Sequence, residues 1–174
     1  MDLKEYIRSI PDYPKKGILF RDITTLIKNE KAFEETVNQI IERSKKYKVN
    51  KIAAIESRGF VFASAVSYLL KKPFIMLRKK NKLPADVHSV DFELEYGTAT
   101  MVHKDSINEK DNVLIIDDLI ATGGTAEAAA KLVEISKGKV AAFVFVINLF
   151  DLGGCEKLIQ NNYKVENLIE FPGH

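Results

Sequence analysis

The run Val113-Leu114-Ile115-Ile116-Asp117-Asp118-Leu119-Ile120-Ala121-Thr122-Gly123-Gly124-Thr125 holds the residue types best suited to chemistry. An apolar stretch of strand character delivers two adjacent acids, and a bend of small residues follows, opening an alanine-rich helix. Gly123 and Gly124 let backbone N–H groups crowd around an anion, the helix N-terminus adds its positive dipole end, and Thr122 and Thr125 add hydroxyl donors. That is a cradle for one phosphate. Acids beside a phosphate repel it unless they serve another part of the same ligand. Sugar hydroxyls suit them, because an ionised carboxylate accepts hydroxyl hydrogen bonds well. A phosphate on the bend and a diol on Asp117 and Asp118 together describe ribose 5-phosphate. A strand-end Asp capping the next helix and a plain glycine turn would explain a lone Gly-Gly pair, but they leave the second acid and the threonines without a purpose. No lysine follows the glycines, which excludes the G-x-x-x-x-G-K-[ST] nucleotide loop, and G-x-G-x-x-G is absent too.

This thirteen-residue run resembles the PRPP (5-phosphoribosyl pyrophosphate) signature of the type I phosphoribosyltransferases. The resemblance implies that Asp117 and Asp118 bind the ribose hydroxyls and that Ala121, Thr122, Gly123, Gly124 and Thr125 bind the 5-phosphate. Three further segments resemble the adenine-using branch of that family, the adenine phosphoribosyltransferases, and all lie in the family's order. Pro11 to Thr24 is similar to its adenine-binding hood. Glu56-Ser57-Arg58-Gly59-Phe60 is similar to its pyrophosphate loop. Arg78 to Pro84, continuing through Leu94-Glu95-Tyr96-Gly97-Thr98, is similar to its mobile catalytic loop.

Each segment also has a physical reading. Phe20 can stack on a purine, an interaction of about 1–3 kcal/mol. By the resemblance, the backbone of Leu19 reads the adenine edge and Arg21 contacts the base; without it, Phe20 reads as core and Arg21 as a surface ion pair. Arg58, at a strand end beside Gly59, can present a bidentate fork to pyrophosphate together with Ser57. Arg78 and Lys82 match positions that contact pyrophosphate in the family, while Lys79 and Lys80 read as a solvated face. Glu95 is the candidate proton-handling residue near adenine N7, and Tyr96 matches a residue packed near the ribose. Glu95, Arg58 and Lys82 are thus the expected catalytic groups. Two positions depart from the family: Glu56 stands where Asp is usual, and Asn81 where Gly is common. Asn tolerates left-handed backbone angles, so the turn at 81 is expected to survive.

The elements that must position these groups follow from periodicity. Short helices are expected over 3–9 and 154–161. Residues 31–47 repeat apolar residues at helical spacing, residues 60–70 form an apolar helix, and a helix is expected near 125–137. Strands are expected within 11–24, at 51–55, 73–77, 113–116, 140–149 and 164–169, with two more near 91–95 and 99–103 turning at Gly97; residues 78–90 show no periodicity. Strand and helix in alternation imply an α/β fold, a mostly parallel twisted sheet with helices on both faces. Ligands gather at the carboxyl ends of such strands, where both the 56–59 and 117–125 segments fall. The expectation is one domain over 1–174, with a hood over the base at 1–30 and a mobile loop at 78–96.

Bulk properties agree. The chain has 174 residues, 46% hydrophobic and 29% charged, and a net charge of +2 that gives no argument for nucleic acid. Cys155 is the single cysteine, so no internal disulfide or cysteine-built metal site forms, and His88, His103 and His174 have no metal-ligand spacing. The longest apolar run, Val140 to Ile147, is far short of a membrane span, and the N-terminus does not read as a signal peptide. A cytoplasmic enzyme without membrane or nucleic-acid partners is expected. The resemblance adds Mg²⁺ bound mainly through PRPP, no dedicated protein ligand for it, and a homodimer. Another purine phosphoribosyltransferase, or a PRPP-sensing regulator without catalysis, stays open at this point.

Overall fold

The computed structural model describes residues 1–84, 86–92 and 98–174. A seven-stranded sheet forms its centre, flanked by a separate two-stranded ribbon. The ribbon pairs β1 (Arg8–Pro11) with β2 (Leu19–Asp22) antiparallel. Next come α1 (Thr24–Lys28), α2 (Glu30–Ser44), β3 (Lys51–Ile55), α3 (Gly59–Leu70) and β4 (Phe74–Lys79). A β-arm of β5 (Val87–Phe92) and β6 (Thr98–His103) follows. The chain then makes β7 (Asn112–Ile120), α4 (Gly124–Ile135), β8 (Lys139–Leu149), α5 (Gly154–Gln160) and β9 (Val165–Phe171).

The sheet order is β5-β6-β4-β3-β7-β8-β9. Strands β4, β3, β7, β8 and β9 are parallel, and the arm adds two antiparallel strands at one edge. Period-two alternation sorts the apolar strand residues between two cores. Ile52, Ala54, Leu114, Ile116 and Val144 pack with Ile40 of α2 and with Phe62 and Val66 of α3. Ala53, Ile55, Val113, Ile115, Phe143 and Phe145 pack with Ala129, Leu132 and Val133 of α4 and with Leu158 of α5. Burial on both faces explains why these strands read as unbroken apolar runs. No helix among the described residues is long and apolar enough to cross a membrane.

Several boundaries differ from the sequence expectation. The N-terminal helix expected over 3–9 is only a 3₁₀ turn, Leu3–Tyr6, because Arg8–Pro11 pair with β2 instead. The helix expected over 31–47 starts at Glu30, where Asn29 Oδ1 accepts the Ala32 N–H at 2.9 Å, and α1 precedes it unanticipated. Within 78–90, β4 extends to Lys79 and β5 begins at Val87 rather than near 91. Backbone pairing with β6 makes that strand, and its mixed side chains carry no periodic signal. Asn81 takes a left-handed φ of 63°.

Candidate active site

Strands β3 and β7 pair up to Ala54 and Ile116, and then part. Beyond Ile116 the longer strand β7 keeps only β8 as a neighbour, running on to Ile120. The split opens a 520 Å³ cleft at the carboxyl edge of the sheet. One wall is Glu56-Ser57-Arg58; the other is Asp117 to Ala126, with Lys79 at the rim. Both loops singled out by residue type therefore line one cavity. Asp117 and Asp118 lie within the extended strand rather than in a loop, so the sheet fixes their backbone.

The bend is built on close backbone approach. Gly123 caps α4 with φ 89°, a left-handed conformation that glycine adopts without strain. Its Cα face touches Gly154, where an added Cβ would lie 3.2 Å from Gly154 Cα and O. Gly154 N–H in turn donates to Ala121 O at 3.0 Å. On the opposite wall, a Cβ at Gly59 would meet Asp117 Oδ1 at 2.8 Å and Ile116 O at 2.9 Å, so glycine there lets α3 start directly against the acid pair. The first N–H groups of α4 lack intrahelical acceptors and, with the helix dipole, make the bend attractive to an anion.

The acids are poorly compensated. Asp117 Oδ1 accepts the Asp118 N–H at 2.9 Å. Asp118 Oδ2 lies 3.0 Å from Arg58 Nε, yet the two are not aligned for a hydrogen bond and Oδ2 is buried without a donor. Burial pushes both carboxyls up, Asp117 furthest because Asp118 beside it adds like charge; the Arg58 charge opposes the rise at both. Glu56 is the reverse case. It accepts the Lys79 N–H at 3.0 Å and Arg78 Nε at 3.2 Å, and lies below the usual carboxylate range through the Lys79 amide, then the Arg78 and Lys82 charges. The peptide joining Glu56 to Ser57 is cis.

The hood residues stand beside this cleft. The Arg58 guanidinium is 5.4 Å from the Phe20 ring centroid, and Tyr13 meets Phe20 edge-on at 5.1 Å. A second cavity of 360 Å³ is lined by Arg8, Ile10, Tyr13, Phe20, Asp22, Ile23, Thr24 and Arg58, so Arg58 borders both spaces. Arg21 points its groups elsewhere: Nη1 donates to Ser9 Oγ at 2.5 Å, Nη2 donates to Pro172 O at 2.9 Å, and the guanidinium stacks 4.4 Å from the Phe171 centroid. Arg21 thereby ties the hood to the C-terminal segment. Leu19 is half-buried in β2.

Of the basic run, Arg78 is paired with Glu56 and Lys82 is exposed, its N–H donating to Lys79 O at 3.2 Å. Lys79, expected on a solvated face, is exposed but borders the cleft. Glu95 and Tyr96 lie outside the described residues. Sequence reasoning did not single out Gly59 or Gly154 as partners of the acids and the bend. The Gly153-Gly154 pair directly beyond a buried strand was the available signal.

Residues 23–172 match the model of the phosphoribosyl transferase domain. The chain is 81% identical, over all of both chains, to the adenine phosphoribosyltransferase of Pelagibacter ubique (strain HTCC1062). It is 47% identical to that of Proteus mirabilis (strain HI4320), covering 99% of this chain and 94% of the relative. The crystal structure of adenine phosphoribosyltransferase from Thermoanaerobacter pseudethanolicus superposes with a TM-score of 0.93 at 44% identity, covering 98% of each chain. The Giardia lamblia enzyme complexed with 9-deazaadenine superposes with a TM-score of 0.92 at 33% identity, covering 98% of this chain and 96% of that one. A domain match over most of the length, full-length relatives and a shared fold give one answer: the chain belongs to the phosphoribosyl transferase domain family and, within it, to the adenine phosphoribosyltransferases.

Proposed function

We propose that this protein transfers the 5-phosphoribosyl group of PRPP to adenine, giving AMP and pyrophosphate in purine salvage. The observation that carries the reading is the undercompensated pair Asp117–Asp118 in one cleft with the Ala121–Thr125 bend. The pair accepts the ribose hydroxyls and the bend holds the 5-phosphate. As the bond from ribose C1 to pyrophosphate oxygen breaks and the bond to adenine N9 forms, positive charge grows on the sugar next to these acids. Ser57, Arg58, Arg78 and Lys82 gather the departing pyrophosphate; Arg58 is placed for this by bordering both cavities. Arg78 and Lys82 serve from the same or the partner subunit.

Adenine stacks on Phe20 with its edge read by the backbone at Leu19. A backbone donor–acceptor pair suits adenine and opposes hypoxanthine. Arg21 contributes by fixing that strand, consistent with its bonds to Ser9 and Pro172. Glu95 shares the proton at adenine N7, and Tyr96 packs near the ribose. When bound with PRPP, Mg²⁺ neutralises charge on the leaving group and takes its ligands mainly from substrate and water. The cleft suits that ion, because Asp118 Oδ2 is a hard oxygen buried without a donor. The protein works in the cytoplasm as a homodimer; Val61 and Tyr68, seven residues apart on one face of α3, are exposed, Tyr68 by 83%, with exposed Leu69 beside that face, a surface suited to a second copy.

The test is AMP formation from adenine, PRPP and Mg²⁺, with guanine and hypoxanthine at the same PRPP concentration. AMP from adenine alone supports the reading. Faster turnover of another purine reassigns the base, and PRPP binding without turnover makes the protein a sensor. Glu95→Gln is expected to lower kcat about a hundredfold with little change in adenine affinity; full activity removes Glu95 from the mechanism.

A further inference from the structure

The bend is braced from outside by a segment that does not line the cleft. Gly154, the first residue of α5, is buried against it. Its N–H donates to Ala121 O at 3.0 Å. A Cβ at this position would collide with Ala121 O, and would lie 2.7 Å from Ile120 Cγ1 and 2.9 Å from Gly123 N. Two of these three atoms belong to the backbone of the bend, and neither can yield without moving it. The contact is reciprocal, since a Cβ on Gly123 would press on Gly154 at 3.2 Å. The brace is itself anchored. Cys155 and Leu158 are buried in the core beneath α4, and Lys157 Nζ reaches Glu127 Oε2, in the first turn of α4, at 2.6 Å. One short helix thus holds both the bend and the start of the helix whose N–H groups face the anion.

From this geometry we infer that Gly154 is a positioning residue for the ribose 5-phosphate site, required as glycine so that the Ala121–Gly123 backbone can sit where its amides meet the phosphate. The inference rests on the phosphate reading of the bend. A misplacement of about 1 Å in such a cradle costs up to about a hundredfold. Adenine binds at the hood, on other elements, and is not expected to register the change.

The experiment compares wild type, Gly154→Ala and Gly153→Asn. Gly153 has φ 76° but nothing within 4 Å of an added Cβ, and Asn tolerates that backbone, so this variant perturbs the same turn without pressing on the bend. Gly154→Ala is expected to raise the KM for PRPP and the Kd for ribose 5-phosphate about tenfold or more. Its KM for adenine at saturating PRPP stays within about twofold, as do all three values for Gly153→Asn. A Gly154→Ala enzyme with lower Tm or kcat but an unchanged KM for PRPP overturns the inference, because that is the signature of a merely structural glycine. Wild type that fails to bind ribose 5-phosphate overturns the reading of the bend and the inference with it; wild type that binds, matched by Gly154→Ala, overturns the inference alone. Should Gly154→Ala not fold, hydrogen exchange of wild type decides. Ribose 5-phosphate is expected to slow exchange across residues 149–158, and unchanged exchange there refutes the coupling.

Discussion

The carboxylate of the hood, Asp22, and the pair Asp117–Asp118 in β7 have opposite fates. Asp22 in the hood is saturated with donors. Arg8 supplies Nε at 3.1 Å and Nη2 at 2.5 Å, and Thr24 supplies its N–H at 2.9 Å and its hydroxyl at 2.7 Å. Those bonds, Thr24 first, hold its pKa down at about 2. Within β7, Asp117 Oδ1 accepts the Asp118 amide and Asp118 Oδ2 meets only a misaligned arginine, and burial pushes both carboxyls up. A carboxylate whose acceptors are all used stabilises the fold. A carboxylate buried with acceptors to spare costs stability and is held ready for a ligand that brings donors. The contrast separates architecture from function without reference to any relative.

The comparison is broken most directly at Asp118. Asp118→Asn is expected to lower kcat/KM for PRPP about a hundredfold, the value of a charge-assisted hydrogen bond to substrate; steady-state kinetics at saturating adenine measure it, and unchanged constants discredit the ribose assignment. Asp22→Asn is expected to cost about 2 kcal/mol in denaturant unfolding and to leave the KM for PRPP alone. Its pH dependence sharpens the point. A folded pKa depressed from 3.8 to about 2 contributes stability that is whole above 3.8 and fades as pH falls through 2, so the variant loses that part of the acid limb. Phe20→Ala is expected to raise the KM for adenine about tenfold, as the loss of one stacking surface does; no change returns Phe20 to a packing role. The smallest effect is the most diagnostic. Asp117 is raised in the fold, so its ionisation costs stability progressively as pH rises above 3.8. Asp117→Asn keeps an oxygen for the Asp118 amide and removes the charge, and a rise in Tm of about 2–4 °C at pH 7 without substrate is expected, alongside weaker PRPP binding. A fall in Tm would show the pair to be compensated after all.

Much of this site was legible in the residues. The acids and glycines announce their chemistry locally: the strand before them is long and apolar, and the bend must be small. The same holds for the alternation of strands and helices, which leaves a parallel sheet as the economical packing. What escaped reading depends on partners far along the chain. Arg8–Pro11 joins β2 instead of continuing a helix because the backbone of residues 19–22 is at hand. Arg78 is engaged by Glu56 across two strand ends, and Arg21 by Pro172 at the opposite end of the chain. No local pattern encodes such pairings.

By itself, the order of residues determined the class of fold and singled out the two loops, at 56–59 and 117–125, that border one cleft, since side-chain chemistry and hydrophobic period are properties of short segments. Tertiary structure alone decided that β3 and β7 part after Ile116 to open a cleft, that Asp118 Oδ2 is left without a donor while Asp22 has several, and that Gly154 lies against the glycine bend. Those facts depend on which distant atoms exclude water and which supply hydrogen bonds, and only the packed chain brings them within reach.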